Sequence, residues 1–199
     1  MHRRDFIKVI AGSAAWPLTA VAQQAERMRR IGVLLPHTSD DPQGQARLAA
    51  FLQELQLLGW IVGRNVRVDT RWGAGDADRY RKHAGELVAL EPDVIVANTS
   101  PIVAAVQQAT STIPVVFVNV IDPVGAGFVA SLARPANNMT GFAVFEYGVS
   151  VKWLALLKEI APGVTRAAVL RDPTTAAGIG QLAATQGMAP QHALAKGKD

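Results

Sequence analysis

Small hydrogen-bonding side chains follow three of the apolar runs in this chain, and they are the groups best suited to hold a ligand. They are, in chain order, His37, Thr38, Asn98, Thr99, Ser100 and Asp122. The Asn98-Thr99-Ser100 stretch stands directly before Pro101, a residue type favoured in the first turn of a helix. The free N–H groups and the positive dipole end of such a helix attract a carboxylate. The pattern is therefore suited to a small carboxylate as ligand.

Each of these loops also has a purely structural interpretation. Ser100 is suited to cap the helix that follows it, which needs no ligand. Asp122 could orient an amino group or cap the next helix, and the stretch 37–40 is either a polar turn or a ligand edge. For Ser100 and for Asp122, each taken alone, capping is the favoured interpretation. The ligand hypothesis gains weight only if the loops meet at one edge of a sheet.

Enzyme and metal signatures are missing from the sequence. The serine-hydrolase motif G-x-S-x-G is absent, and so are H-E-x-x-H and clustered Cys/His patterns. No G-x-G-x-x-G follows the first apolar run, which disfavours a dinucleotide-dependent oxidoreductase. Of the four histidines, only His37 stands at the carboxyl end of a predicted strand. The sequence therefore predicts no catalytic residues, no metal and no cofactor.

The elements that must position these side chains alternate in a regular rhythm of strand and helix. Apolar or alternating runs predict five strands, at Ile31–Leu35, Val66–Thr70, Asp93–Ala97, Val115–Val118 and Thr140–Val144. Helical spacing predicts the connections, at Leu48–Leu58, Tyr80–Val88, Pro101–Ala109 and, as a short helix, Gly125–Leu132. This order predicts an α/β fold with a doubly wound parallel sheet. Such sheets bind ligands at the carboxyl ends of their strands.

A second, incomplete α/β lobe is predicted after the first sheet. Helical spacing covers Val151–Ile160 and Thr175–Gln186, and the apolar run Thr165–Leu170 between them predicts a strand. The pattern ends at Gly187. The predicted organisation is thus a first lobe at 30–144, a partial second lobe at 148–186 and a disordered tail at 187–199.

The first 22 residues have the layout of an export signal. Arg3 and Arg4 open a charged head, an apolar run extends from Val9 to Ala22, and Ala20-Val21-Ala22 offers a cleavage site. The paired arginines favour the twin-arginine route, and a Sec signal is the alternative. The run is too short and too interrupted to span a bilayer as a helix. A periplasmic location and an export machinery as partner are therefore predicted.

Composition narrows the class further. Of 199 residues, 49% are hydrophobic and 18% charged, which is typical of a packed globular protein. The chain has no cysteine, so no disulfide stabilises it. Its net charge of +4 comes without a basic cluster interleaved with aromatic residues, so nucleic acid is not predicted as a partner. Nothing after residue 22 is apolar for long enough to span a membrane.

A series of motifs in a fixed order resembles a known family. The motifs lie at Ile31–Leu34, Gly59-Trp60, Gly63–Val66, Asp93–Ala97, Thr99–Pro101, Ile113–Phe117, Asp122–Gly125, Asn138–Phe142, Lys152–Glu159 and Ala168–Pro173. Together they resemble the ABC-transporter substrate-binding proteins of the tryptophan/tyrosine-uptake type. The resemblance implies a two-lobed periplasmic-binding fold of type I that closes on a small ligand and serves an ABC permease.

The resemblance also implies which loops face the ligand. They are the loop at His37-Thr38, the one at Thr99-Ser100 and the one at Asp122, with Asp172 approaching from the second lobe. Family members extend beyond the length of this chain, so a C-terminally truncated member is expected.

The predicted function is therefore the solute-binding component of an ABC importer, with an amino acid or small carboxylate as ligand. An exported α/β enzyme or sensor domain that uses the same cleft, and a degenerate fragment without function, are the alternatives.

Overall fold

The computed structural model describes residues 27–170 and 176–188. The strands within them are β1 (Arg29–Leu35), β2 (Val66–Trp72), β3 (Val94–Asn98), β4 (Val115–Val120) and β5 (Met139–Ala143). The helices are α1 (Pro42–Leu57), α2 (Ala77–Ala89), α3 (Ser100–Ala109), α4 (Val149–Ile160) and α5 (Ala176–Met188). The five strands predicted for the first lobe are confirmed, with ends shifted by one or two residues.

All five strands pair in parallel in the order β2-β1-β3-β4-β5. The two apolar runs without alternation, β1 and β3, lie inside the sheet, where helices cover both faces. Their register places Leu34 opposite Ala97. The predicted doubly wound parallel sheet is thus confirmed. Apolar and charged residues alternate along β2 because this strand lies at the edge of the sheet and one of its faces is more exposed.

The core is divided by the sheet into two clusters, one on each face. Alternate residues of β1 contribute to opposite clusters, as the period of two requires. Leu34 joins Phe117 and the apolar faces of α2 and α3. Val33 and Leu35 instead pack against Phe51 and its neighbours on α1. Helices on both faces therefore fix the strands, and the strand ends in turn fix the loops that follow them.

The loop after β4 contains a single turn where a short helix was predicted at 125–132. The backbone N–H of Ala126 bonds Asp122 over 2.8 Å, but Gly127 then takes a positive φ of 76°. A residue with that φ ends a right-handed helix. Phe128 and Val129 are consequently turned into the core instead of lying along a helix. The prediction of a helix here is wrong.

The strand predicted at 165–170 is also absent. Residues 164–170 carry no regular secondary structure, and Leu170 is 99% exposed. A strand requires a neighbour for its N–H and C=O groups, and no strand of the described residues lies beside this segment. The helices on either side, α4 and α5, are confirmed. Residues 187–188, predicted to belong to a disordered tail, are part of α5. The predicted leader at 1–22 and residues 189–199 of the predicted tail lie outside the described residues.

Candidate functional site

Three loops meet at the carboxyl edge of the sheet, after β1, β3 and β4. The chain leaves β1 towards β2 on one side of it, and leaves β3 towards β4 on the other. The strand order therefore reverses between the adjacent strands β1 and β3. In sheets of this kind such a switch point opens a crevice outside the strand ends, and ligands bind there.

His37, in the loop after β1, is held by packing and has an unused ring nitrogen. Its Nδ1 lies 3.5 Å from Oδ1 of Asp41, which also caps α1 by accepting the N–H of Gly44 over 2.6 Å. A Cβ added at Gly44 would lie 2.9 Å from both the His37 Cβ and the Trp72 ring, so the three residues are in close contact. His37 Nε2 is buried and has no hydrogen-bond partner.

Thr38, the next predicted site residue, is exposed and shapes the turn. Its carbonyl accepts the N–H of Asp41 over 3.2 Å. Two hydrogen bonds lower the pKa of the Asp40 carboxyl. The larger effect comes from the Thr38 side chain, and the smaller from the backbone of Asp40 itself. The polar-turn interpretation therefore describes Thr38, whereas His37 Nε2 has no hydrogen-bond partner.

Asn98 is the last residue of β3 and supplies the second unused group. Its side chain is buried, at 5% exposure, and its Oδ1 has no hydrogen-bond partner. A buried acceptor without a donor is rare in folded proteins, because desolvation costs on the order of 1–3 kcal/mol. Asn98 and His37 follow neighbouring strands. The two unsatisfied groups therefore lie on either side of the switch point.

Thr99 holds a backbone conformation that is unusual for a β-branched residue. Its φ is 84° and its ψ 151°, outside the regions that such residues normally occupy. The conformation is fixed by the N–H of Thr99, which donates to Val118 of β4 over 3.0 Å. Thr99 is the N-cap of α3, yet its side chain makes no capping hydrogen bond. The start of α3 is thus not satisfied by a side chain.

Ser100 does not cap α3, contrary to the capping interpretation. It is the first residue of that helix, and its buried Oγ accepts the N–H of Ile121 over 3.4 Å. This contact joins the start of α3 to the loop after β4. Two of the three predicted loops are therefore directly connected.

Asp122 is engaged in holding its own loop. Its Oδ1 accepts the N–H of Gly125 over 2.7 Å, and its Oδ2 accepts the N–H of Tyr147 over 3.3 Å. Its backbone N–H donates to Phe145 over 2.9 Å, and its φ is 41°. Asp122 therefore caps a single turn and not the helix that was predicted to follow it. Its carboxylate positions the loop and the entry into α4.

Two residues near the start of α4, Tyr147 and Ser150, lie beside these loops although the sequence did not indicate them as candidate site residues. The ring of Tyr147 lies near Gly125 and near Gly180 of α5. Burial has the larger effect and the negative charge of Asp122 the smaller, and both raise the pKa of the Tyr147 hydroxyl. Ser150 is fully buried, and its Oγ has no hydrogen-bond partner. No local motif marks either residue, because only the fold brings residue 147 to residue 122.

Backbone strain is concentrated at this edge. Thr99, Asn119 and Asp122 all have positive φ values, of 84°, 57° and 41°. The register between β4 and β5 shifts between Phe117 and Val120, as at a β-bulge. Bulges and strained residues cluster at binding and catalytic sites, where the surrounding structure fixes them. The end of β3 therefore has both features, an unsatisfied group on Asn98 and backbone strain at Thr99.

Two further kinds of functional feature are absent from the described residues, a metal-binding cluster and a membrane-spanning helix. Among residues 27–170 and 176–188, no group of three or more His, Asp or Glu side chains could hold a metal ion. No helix in these ranges is long and apolar enough to cross a membrane. Asp172, the site residue predicted from the second lobe, lies outside the described residues.

Comparison with known proteins identifies similar sequences and folds. Residues 35–196 match the family model described as ABC transporter substrate binding protein. The chain is 29% identical over 148 residues to the tyrosine-binding protein of Clostridioides difficile. It also resembles the structure of a conserved domain protein from Vibrio cholerae, with 28% identity over 84% of this chain and a TM-score of 0.73.

A further structural likeness concerns the fold alone. It is to an ABC domain from Streptococcus pneumoniae in complex with L-Trp, with 23% identity over 84% of this chain and a TM-score of 0.71. This chain spans 41% of the tyrosine-binding protein and 55% of each of the two structures.

Proposed function

This chain belongs to the family of ABC transporter substrate-binding proteins, and on that premise we propose that it binds an amino acid for delivery to an ABC permease. The observation that carries the proposal is the pair of buried, unpartnered groups at the switch point, His37 Nε2 and Asn98 Oδ1. A ligand that hydrogen-bonds both groups removes the penalty of leaving them unsatisfied.

An α-amino acid fits the charges at this edge. Asn98 Oδ1 is an acceptor and suits the ligand's ammonium group. The start of α3 has no side-chain cap, so its free N–H groups and dipole suit the ligand's carboxylate. The two features follow each other directly in the chain, as the two charged groups on one α-carbon require.

An aromatic side chain is the proposed third recognition element. Trp72 is half-buried and in contact with the same glycine as His37, so it offers an aromatic wall beside the switch point. The curated relative is a tyrosine-binding protein, which supports the same class of ligand. We therefore rank L-tyrosine and L-tryptophan above aliphatic amino acids and above simple carboxylates such as benzoate.

In this proposal the predicted site residues divide into two roles. His37, Asn98, Thr99 and Ser100 face the ligand. Thr38 and Asp122 shape the loops that present them, because their polar groups are engaged in turns. Asp172 would approach from the second lobe, and closure of the two lobes would be stabilised by contacts from both sides.

Calorimetric titration of the full chain with L-tyrosine, L-tryptophan, L-leucine and benzoate tests the proposal. Asn98→Ala removes the proposed ammonium acceptor, and we expect it to weaken aromatic amino acid binding about tenfold or more. His83→Ala is the matched control. Its ring nitrogen bonds Glu86 over 3.1 Å on α2, away from the switch point.

The outcome that contradicts the proposed site is equal binding by both variants, with circular dichroism confirming that both are folded. Binding of benzoate alone, insensitive to Asn98→Ala, would move the ligand class to simple carboxylates. Hydrolysis or modification of a bound amino acid would favour the enzyme alternative, and the absence of binding to any of the four compounds would favour the degenerate fragment.

We also propose that the chain works in the periplasm after export through its N-terminal leader. Family membership supports an extracytoplasmic protein, and the leader sequence is typical of export. Replacing Arg3 and Arg4 by lysine should block export if the route is twin-arginine. Unchanged export of this double variant would leave the Sec route.

A further inference from the structure

Five large apolar side chains in succession are exposed at the amino edge of the sheet, opposite the proposed ligand site. They belong to the end of α1 and the loop after it, here called the amino-edge loop, and are Leu57, Leu58, Trp60, Ile61 and Val62. Leu57 and Leu58 are 72% and 75% exposed. A contiguous run of exposed apolar residues is typical of an interaction surface.

The amino-edge loop is held in one conformation. Asn65 clamps it, accepting the N–H of Ile61 at Oδ1 over 2.7 Å and donating from Nδ2 to the Gly59 carbonyl over 2.9 Å. The N–H of Trp60 bonds Leu55 over 2.8 Å, and that of Gly63 bonds Val66 over 2.9 Å. The exposed side chains are therefore presented on an ordered backbone.

A basic groove borders this loop. The N–H of Arg29 donates to the Asn65 carbonyl over 2.9 Å, so the start of β1 and the amino-edge loop are contiguous. The groove has a volume of about 270 Å³, and four arginines line it together with two acidic residues. The arginines are Arg27, Arg29, Arg30 and Arg67, and the acidic residues are Glu91 and Asp93.

Positive charge is in excess on this edge. The groove arginines and Arg64 make five cations, against Asp69, Glu91 and Asp93. Asp93 pairs with Arg29 over 2.8 Å, and Asp69 pairs with Arg30 over 3.3 Å. Asp93 also pairs with Arg27 over 3.7 Å, and Asp69 with Arg67 over 3.2 Å. Five cations against three carboxylates leave an excess of two positive charges, and the side chains of Arg27, at 71% exposure, and of Arg64 are on the solvent side.

We propose that the amino edge docks on an anionic lipid surface. Exposed tryptophan and aliphatic side chains insert at the boundary of headgroups and acyl chains, and neighbouring arginines bind the lipid phosphates. Arginine stems can also lie along the apolar side chains while their heads reach the phosphates. With this edge on the membrane, the carboxyl edge of the sheet is left accessible to ligand.

Vesicle binding of the full chain tests the proposal. With vesicles of equal parts phosphatidylglycerol and phosphatidylcholine, we expect cosedimentation and a blue shift of tryptophan emission. Replacing Leu58, Trp60 and Val62 together by serine should weaken binding about tenfold or more. These side chains are exposed, so the variant should fold. All variants contain residues 1–26, so any vesicle binding through these residues is the same in each variant and does not affect the comparison.

The matched control replaces Trp153, Leu156 and Ile160 of α4 by serine. They are 50%, 52% and 82% exposed, so the same kind of apolar surface is removed elsewhere. Binding should be unchanged in this control, and should fall in vesicles of phosphatidylcholine alone or in about 0.5 M salt.

Three results would overturn the proposal: no binding to the anionic vesicles, an equal loss in the control variant, or binding that does not depend on lipid charge. Sedimentation equilibrium without lipid adds a fourth. Self-association that is abolished by the Leu58, Trp60 and Val62 replacements would show that the loop docks on a second copy of the chain.

Discussion

The sheet region, residues 29–143, and the helical region, residues 149–170 and 176–188, differ in how completely they bury their apolar residues. In the first, Ile95, Phe117 and Ile102 are essentially inaccessible, and helices cover both faces of the sheet. In the second, Leu154 is the only buried apolar side chain of the described residues, and it packs against Val164. An amphipathic helix is thus not sufficient for a core, because its apolar face also needs a surface to cover it.

The largest effect that would test this comparison is expected at the centre of the sheet region. Phe117→Ala removes a ring with 1% exposure, and we expect it to lower the free energy of unfolding by about 3–5 kcal/mol. Phe142→Ala removes the same ring at 72% exposure and should cost less than about 0.5 kcal/mol. Urea denaturation measures both. Equal midpoints would show that the sheet is not the stable core.

A second large effect concerns the close approach of β4 and β5. A Cβ at Gly141 would lie 1.9 Å from the Phe117 carbonyl oxygen, so Gly141→Ala must move the backbone. We expect a loss of about 1–3 kcal/mol, measured by thermal or urea denaturation. Gly163→Ala, which meets no atom within 4 Å, is the control and should change stability little. A wild-type midpoint for Gly141→Ala would contradict this pairing.

In the helical region we expect a smaller and local effect. Leu154→Ala should raise hydrogen exchange throughout α4 while the amides of β3 keep their slow exchange, because α4 has few buried contacts. The expected loss is at most about 2 kcal/mol, below the usual range for a buried leucine. Leu156→Ala, at 52% exposure, is the control. Faster exchange in β3 as well would show that the two regions unfold together.

The smallest expected effect is the contribution of Asp93, directly before β3, to the decrease in stability at low pH. The backbone N–H of Arg30 and then the Arg29 guanidinium hold the pKa of Asp93 below its ordinary value of 3.8. The carboxylate form of Asp93 therefore stabilises the folded chain at pH values above the pKa of Asp93 in the unfolded chain. This stabilisation is lost as the pH falls through the lower pKa of Asp93 in the folded chain.

Asp93→Asn should therefore flatten the decline of the melting temperature below about pH 4. The shift should be small, because exposed ion pairs contribute at most about 1 kcal/mol. Glu159→Gln, which removes an exposed carboxylate on α4, is the control. A decline that is identical in the wild type and in Asp93→Asn would contradict the inferred role of this carboxylate.

Local pattern was sufficient to predict most of the sheet, and insufficient where the chain turns without a repeating pattern. The apolar runs of β1 and β3 predicted strands inside the sheet, since only strands covered on both faces lack alternation. At 125–132 the side chains suited a helix, but Gly127 adopts a positive φ. At 165–170 the apolar run suited a strand, but no neighbouring strand pairs with it in the described residues.

The sequence by itself determined the positions of the strand ends, and therefore which polar residues stand at the carboxyl edge. Which of them have a free group was decided by tertiary contacts. The Asp122 carboxylate bonds the N–H of Tyr147, 25 residues away, whereas Asn98 Oδ1 is buried without a donor. Residue type shows that a side chain can form a hydrogen bond. Only the packing of distant segments determines whether that bond is already made.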